Sequence, residues 1–139
     1  MKKIFLDANI IIDLINSGNQ FHADILFLFN ALMKQKVKLY VSPTTFTIAY
    51  YFLDKTMRDK KRLNKIAINL FSNFYFTRED EVIMQKVYKS SFIDLEDALQ
   101  YYSALDAGAG LIISYNQHDF IKSAIPVYHP MQFINEFLI

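Results

Sequence analysis

Three short apolar runs, far apart in the chain and each meeting a polar residue at its end, constrain the fold more than any other feature. Lys3-Ile4-Phe5-Leu6 stops at Asp7, Lys38-Leu39-Tyr40-Val41 stops at Ser42, and Leu111-Ile112-Ile113 runs into Ser114. Apolar runs of this length, bounded by turn residues, read as buried strands. The segments between them carry helical periodicity. Residues 9–15 read as a short helix that Asn16-Ser17-Gly18-Asn19 breaks. Phe21, Ile25, Leu28 and Leu32 recur at helical spacing over residues 20–35. Ser42-Pro43 reads as an N-cap with proline at the first helical position, and the helix runs on through Ile48, Tyr51 and Phe52.

Further helices are expected at 59–72 and 79–90, with a short strand at 73–77 between them. Asp94 and Asp97 have capping-box spacing at the start of another helix. Leu95, Ala98, Leu99, Tyr102 and Leu105 form the apolar stripe of that helix, and Gly108 and Gly110 end it. A weak strand at 127–129 precedes a last helix near 131–138. Strands alternating with helices predict an α/β fold with a mainly parallel sheet covered on both sides. In such sheets a ligand site lies beyond the carboxyl ends of the strands.

The 139 residues fit one domain, 1–139, and 53% of them are hydrophobic, enough for a core. No repeat or Gly/Ser/Pro-rich linker interrupts the chain. No apolar run approaches the length of a membrane span. The leader-like start from Met1 is broken at once by Asp7, and no small-residue cleavage site follows. The absence of cysteine fits a reducing cytoplasm. With a net charge of +1, any nucleic-acid contact has to come from a local patch. Lys55, Arg58, Lys60, Lys61, Arg62 and Lys65 supply one, diluted by Asp54 and Asp59. Such a cluster is either a solvated helix face or a phosphate contact, with Lys55, Arg58, Lys61 and Arg62 the candidates for RNA. Tyr50, Tyr51, Tyr101 and Tyr102 pack into a core or dimer contact, or stack on bases. His22 and His129 lack metal-ligand spacing, and His118, a lone loop histidine beside Asp119, is more often a surface residue than a general base; no Gly-rich phosphate loop or Gly-x-Ser-x-Gly elbow is present.

Asp7 at a strand end, Asp97 in the first turn of a helix, and Asn116 and Asp119 after the last central strand can all converge on one end of the sheet. Hard oxygen ligands of this kind suit Mg²⁺, which takes one or two carboxylates and keeps water. Such an ion can hold a phosphodiester and activate water. Each residue also has a plainer reading: Asp7 as a turn residue, Asp94 as a helix cap, Asp97 as a dipole partner, and Asn116 and Asp119 as loop formers.

Two strings carry more. "FLDANIIIDLI" at 5–15 resembles the opening motif of PIN domains, in which a strand delivers an acid that a small residue and Asn follow. "DLEDALQYYSALDAGAGLIISYNQHDF" at 94–120 resembles the second half of the same family. The resemblance is strongest to small prokaryotic PIN proteins, including VapC-type toxins. It implies a PIN-like three-layer α/β/α sandwich and Mg²⁺- or Mn²⁺-dependent cleavage of RNA. Asp7 and Asp97 are then the metal acids and Asn9 orients the first of them. Asp94 is an auxiliary acid, Ser114 stands for the usual Thr, Asn116 takes the fourth position, and Asp119 is a nearby substitute. A homodimer and an antitoxin partner are also implied.

One position departs from the family. A Glu is usual in the helix after the second strand, and counting from Ser42 reaches Ile48; "VSPTTFTIAYYF" contains no acid. Asp94, one helical turn from Asp97, is the expected compensation. Without it the chain reads as a weakened or inactive module that binds RNA or a protein. A third reading is an RNA-processing nuclease with no antitoxin.

Overall fold

The computed structural model describes residues 3–92, 94–120 and 122–139. Met1 and Lys2, the start of the leader-like stretch, lie outside them. Among the described residues five strands form one sheet: β1 (Lys3–Leu6), β2 (Lys38–Val41), β3 (Tyr75–Phe76), β4 (Leu111–Ile113) and β5 (Val127–Tyr128). Their order is β3-β2-β1-β4-β5, and every pairing is parallel. The chain moves outward from β1 through β2 to β3, then crosses back to lay β4 on the other side of β1. The order therefore reverses between β1 and β4, which opens a crevice beyond the carboxyl ends of those two strands.

Helices α1 (Ala8–Ile15), α2 (His22–Lys34), α3 (Pro43–Met57), α4 (Lys60–Phe71) and α7 (Pro130–Phe137) share one core cluster. Helix α6 (Leu95–Ala107) packs on the opposite face, with α5 (Glu81–Tyr88) against it. The strand period of two divides the side chains. Ile4 and Leu6 of β1, with Leu111 and Ile113 of β4, face the larger core. Phe5 and Ile112 face Tyr101 and Ala104 of α6. Both faces of the sheet are thus covered, as a parallel sheet requires, and the three layers are those of a PIN-like α/β/α sandwich.

Short polar side chains start α3, α4, α5 and α6, each accepting a backbone N–H that the helix itself leaves unpaired. Ser42 accepts from Thr45 with Pro43 at the first helical position, Asp59 from Arg62, Asp80 from Ile83 and Asp94 from Asp97. Gly108 closes α6 at φ 81°, a left-handed conformation that glycine adopts without strain.

Three expectations need adjustment. The strand expected at 73–77 is confined to Tyr75–Phe76, because Asn73 N–H still bonds Leu70 O at the end of α4. Helix α3 runs a further turn past Phe52 to Met57, since Leu53 is fully buried. The apolar stripe of α6 is rotated from its expected position. Leu95 is 60% exposed, whereas Tyr101 and Ala104 fill the core together with the polar Gln100 and Ser103. No helix among the described residues is long and apolar enough to cross a membrane.

Candidate metal centre

The crevice beyond β1 and β4 is an acidic cavity of about 560 Å³. Its lining brings together Asp7, Asn9, Asp94, Asp97, Asn116 and Asp119 from the sequence-based set. Asp7 ends β1 and opens α1. Its Oδ1 accepts Ala8 N–H at 2.7 Å and its Oδ2 accepts the Ser114 hydroxyl at 2.7 Å. Ser114 Oγ in turn accepts Asn116 N–H at 3.0 Å, so the turn after β4 is tied to the end of β1. The carboxylate is only 7% exposed. Burial raises its pKa; the bonds from Ser114 and Ala8 and the nearby Gln100 amide oppose that, while the charge on Asp119 adds to it.

Asp97 sits in the first turn of α6, fixed there because Asp94 accepts its N–H at 3.0 Å. Asp94 thus acts as the helix cap and also lines the cavity. A helix N-terminus favours an anion, yet the carboxyl of Asp97 is pushed up to about 7. Desolvation is the main cause, followed by the charges of Asp94, Asp119, Asp7 and Glu96. Five carboxylates therefore share one field at one end of the sheet.

Ile48 of α3 also lines this cavity, at the position where the family resemblance puts Glu. Glu96 lines it too and was missed in the sequence reading. Its pKa is raised by desolvation and by the charges of Asp94 and Asp7, which places it within their electrostatic reach. Glu96 restores the acid count that Ile48 lowers, from a different helix. Gln100, His118 and Lys122 complete the additions. The spacing 94-97-100 was the signal for Gln100, because residues three apart share a helix face. No periodicity pointed to Glu96.

The donor set is hard oxygen without thiolate, which fits Mg²⁺ or Mn²⁺ rather than zinc. Among the described residues no three His, Asp or Glu side chains are gathered closely enough to act as three direct ligands. Mg²⁺ takes one or two carboxylates and keeps water in its other positions. Asp7 retains lone pairs for such a role beyond its two hydrogen bonds.

A protein-family model described as the PIN domain matches residues 3–118. The chain belongs to the PIN domain family. Ribonuclease VapC1 of Aquifex aeolicus is 30% identical over 136 residues, covering 95% of this PIN chain and 93% of the relative. Among solved structures, FitAcB from Neisseria gonorrhoeae superposes with a TM-score of 0.70 at 15% identity, covering 92% of this chain and 98% of the other. VapBC2 from Rickettsia felis, bound to a DNA fragment from its promoter, gives 0.63 at 18% identity, covering 91% and 97%.

The basic cluster lies elsewhere on this PIN domain. Lys61, Arg62 and Lys65 line a shallow depression at the start of α4, and none of the four RNA candidates lines the acidic cavity. Lys55 lies over the Tyr51 ring at 4.3 Å, and Tyr51 is 62% exposed. Tyr101 is core, stacked on Phe92, and its hydroxyl accepts Ala124 N–H.

Proposed function

We propose that this PIN domain is a Mg²⁺- or Mn²⁺-dependent endoribonuclease and the toxin of a toxin–antitoxin pair. The observation that carries the reading is the convergence of Asp7, Asp94, Glu96, Asp97 and Asp119 on one cavity at the switch point of the sheet. Asp7 and Asp97 are the residues that hold the metal. The ion supplies Lewis-acid stabilisation of the phosphodiester and activation of water. Ser114 and Ala8 fix the Asp7 carboxylate, while Asp94 fixes the first turn of α6 and with it Asp97. Asn116, with its N–H engaged by Ser114, offers its side-chain amide to a phosphate oxygen. Asn9 lines the α1 side of the cavity, and Asp119 is the carboxylate available to take a proton from the attacking water.

Lys55 and Arg58 lie roughly 10 and 15 Å beyond Ile48 along α3, at a rise of about 1.5 Å per residue. In this reading they contact RNA phosphates together with Lys61 and Arg62, away from the acidic cavity that none of the four lines. The antitoxin partner is supported by the neighbours crystallised as toxin–antitoxin complexes, among them one from Klebsiella pneumoniae. A homodimer belongs to the same reading: light scattering at twice the 16.3 kDa chain mass supports it, and the single-chain mass contradicts it.

Ile48 favours a second reading, a module that binds RNA or a protein without cutting. Cleavage assays separate the two. RNA cut in Mn²⁺, intact in EDTA, and intact with Asp7→Asn supports the nuclease; Asp24→Asn, on α2, is the control that keeps activity. Intact RNA across a range of Mn²⁺, with no metal-induced rise in melting temperature, sinks the catalytic reading.

A further inference from the structure

Asp13 is the one acid within α1, and it stands between Ile12 and Leu14 in an otherwise apolar run. It is only 6% exposed. A buried carboxylate is costly unless it is paired, yet among the described residues no lysine or arginine pairs with it. Its side chain meets one donor there, the Tyr115 hydroxyl on Oδ2. A carboxylate offers about four acceptor sites, so most of this capacity is unspent. Asp13 lines a depression of about 240 Å³ together with Asn9, Asn19, Gln20, Phe21 and Tyr115. The depression adjoins the acidic cavity, because Asn9 lines both. The turn after β4 joins them a second time: Ser114 bonds Asp7, Tyr115 lines the depression and Asn116 lines the cavity.

The lining suits a flat ring with donors on one edge. Phe21 and Tyr115 are half-buried, with ring centroids 5.5 Å apart, and supply aromatic surface of the kind on which RNA bases stack. Asn19 Oδ1 is taken by Phe21 N–H at 2.9 Å, which leaves the Asn19 amide N–H groups to donate. Gln20 is exposed and adds a second amide. A carboxylate acceptor beside amide donors matches guanine, whose N1–H and 2-amino group donate while O6 accepts on the same edge. Adenine and cytosine set an acceptor nitrogen beside their amino group, and uracil sets its N–H between two carbonyls, so each turns a lone pair toward the carboxylate. We propose that this depression is a guanine subsite for the RNA base next to the scissile phosphate, with Asp13 accepting from N1–H and the 2-amino group and the Asn19 and Gln20 amides donating to O6. The inference rests on the RNA-cleaving reading above and adds to it the base that the site selects.

The test uses the full chain in EDTA, so that RNA is bound and not cut. The probes are fluorescein-labelled uridine pentamers with guanosine, inosine or adenosine at the centre, read by anisotropy at one salt concentration. The guanosine pentamer is expected to bind about 10-fold tighter than the adenosine one, within the range of a bidentate base contact. Inosine keeps N1–H and O6 but lacks the 2-amino group, and should fall between them. Asp13→Asn should remove most of the guanosine preference and leave binding of the adenosine pentamer unchanged. Gln20→Ala, at an exposed position, serves should Asp13→Asn fail to fold, and should lower the preference about 3-fold, as for one neutral hydrogen bond. Equal wild-type binding of the three pentamers overturns the inference, and an Asp13 that serves only to tie Tyr115 would give that result. RNA cut in Mn²⁺ with no base preference overturns the inference and leaves the nuclease reading standing. Guanosine preference with no cleavage in Mn²⁺ supports the base site and sinks the nuclease reading. Guanosine monophosphate bound as tightly as the guanosine pentamer overturns the placement on RNA and makes a free nucleotide the ligand.

Discussion

Asp97→Asn is expected to stabilise the metal-free protein at pH 8 and to eliminate RNA cleavage. The carboxyl of Asp97 is held up to about 7 in the folded protein by desolvation and by four neighbouring acids. The ordinary value for an aspartate, near that of the unfolded chain, is 3.8. The folded state thus binds this proton more tightly than the unfolded state does. Below about pH 4 the group is protonated in both states and costs nothing. As pH rises from there to about 7, stability is lost, and above 7 the full penalty remains.

Asparagine keeps the shape and removes the charge. Because Asp97 is only partly buried, solvent screening reduces the gain to about 1 kcal/mol at pH 8, or roughly 3–5 °C in Tm. The gain should vanish near pH 4. Wild type should also gain about 2.7 kcal/mol from Mn²⁺ at a hundredfold excess over Kd, and the variant should lose that gain. Loss of a metal carboxylate worth several kcal/mol in the transition state lowers cleavage about 100-fold or more. Melting at pH 4 and pH 8, with and without Mn²⁺, checks the stability part. A variant that melts below wild type at pH 8 contradicts the electrostatic account.

Ile48→Glu carries the second large expected effect, in the opposite direction. Ile48 lies on the wall of the acidic cavity and is half-buried there. A carboxylate at this point adds a hard ligand or an acceptor for a metal-bound water. The Mn²⁺ dissociation constant is expected to fall about 10-fold, equivalent to roughly 1.4 kcal/mol, with faster RNA cleavage. Without metal the same variant should be less stable than wild type, because apolar burial is lost and a further like charge joins the cluster. Ile48→Gln, alike in shape but neutral, should destabilise without tightening the metal. Equal Mn²⁺ affinity in wild type and Ile48→Glu, read by calorimetry, would contradict a metal role for a carboxylate at this position.

The contrast between Ile48 and Glu96 marks the boundary of what the sequence reveals. Short apolar runs ending in Asp7, Ser42 and Ser114 expose the central strands and the edge on which the site is built, because a strand end fixes both direction and depth. Capping geometry likewise makes the starts of α3 and α6 legible at Ser42 and Asp94. Apolar periodicity misplaced the buried face of α6, since Gln100 and Ser103 are polar and buried while Leu95 is apolar and exposed. A hydrophobic stripe cannot register a polar residue that is nonetheless buried. Glu96 was invisible for another reason: it is an exposed residue of α6 that lines the cavity, and apolar periodicity marks only buried positions. The basic cluster was legible as a cluster, but its distance from the acids depended on the length of α3.

The central claim is that Asp7 and Asp97 together hold a divalent ion at the switch point of the sheet. Anomalous scattering from crystals soaked in Mn²⁺ at neutral pH tests it most directly. The account predicts one ion in the acidic cavity, with a carboxylate oxygen of Asp7 and one of Asp97 within roughly 2–2.5 Å and water filling the other positions. A cavity that stays empty at saturating Mn²⁺, or an ion bound to other acids with Asp7 and Asp97 unengaged, would contradict it.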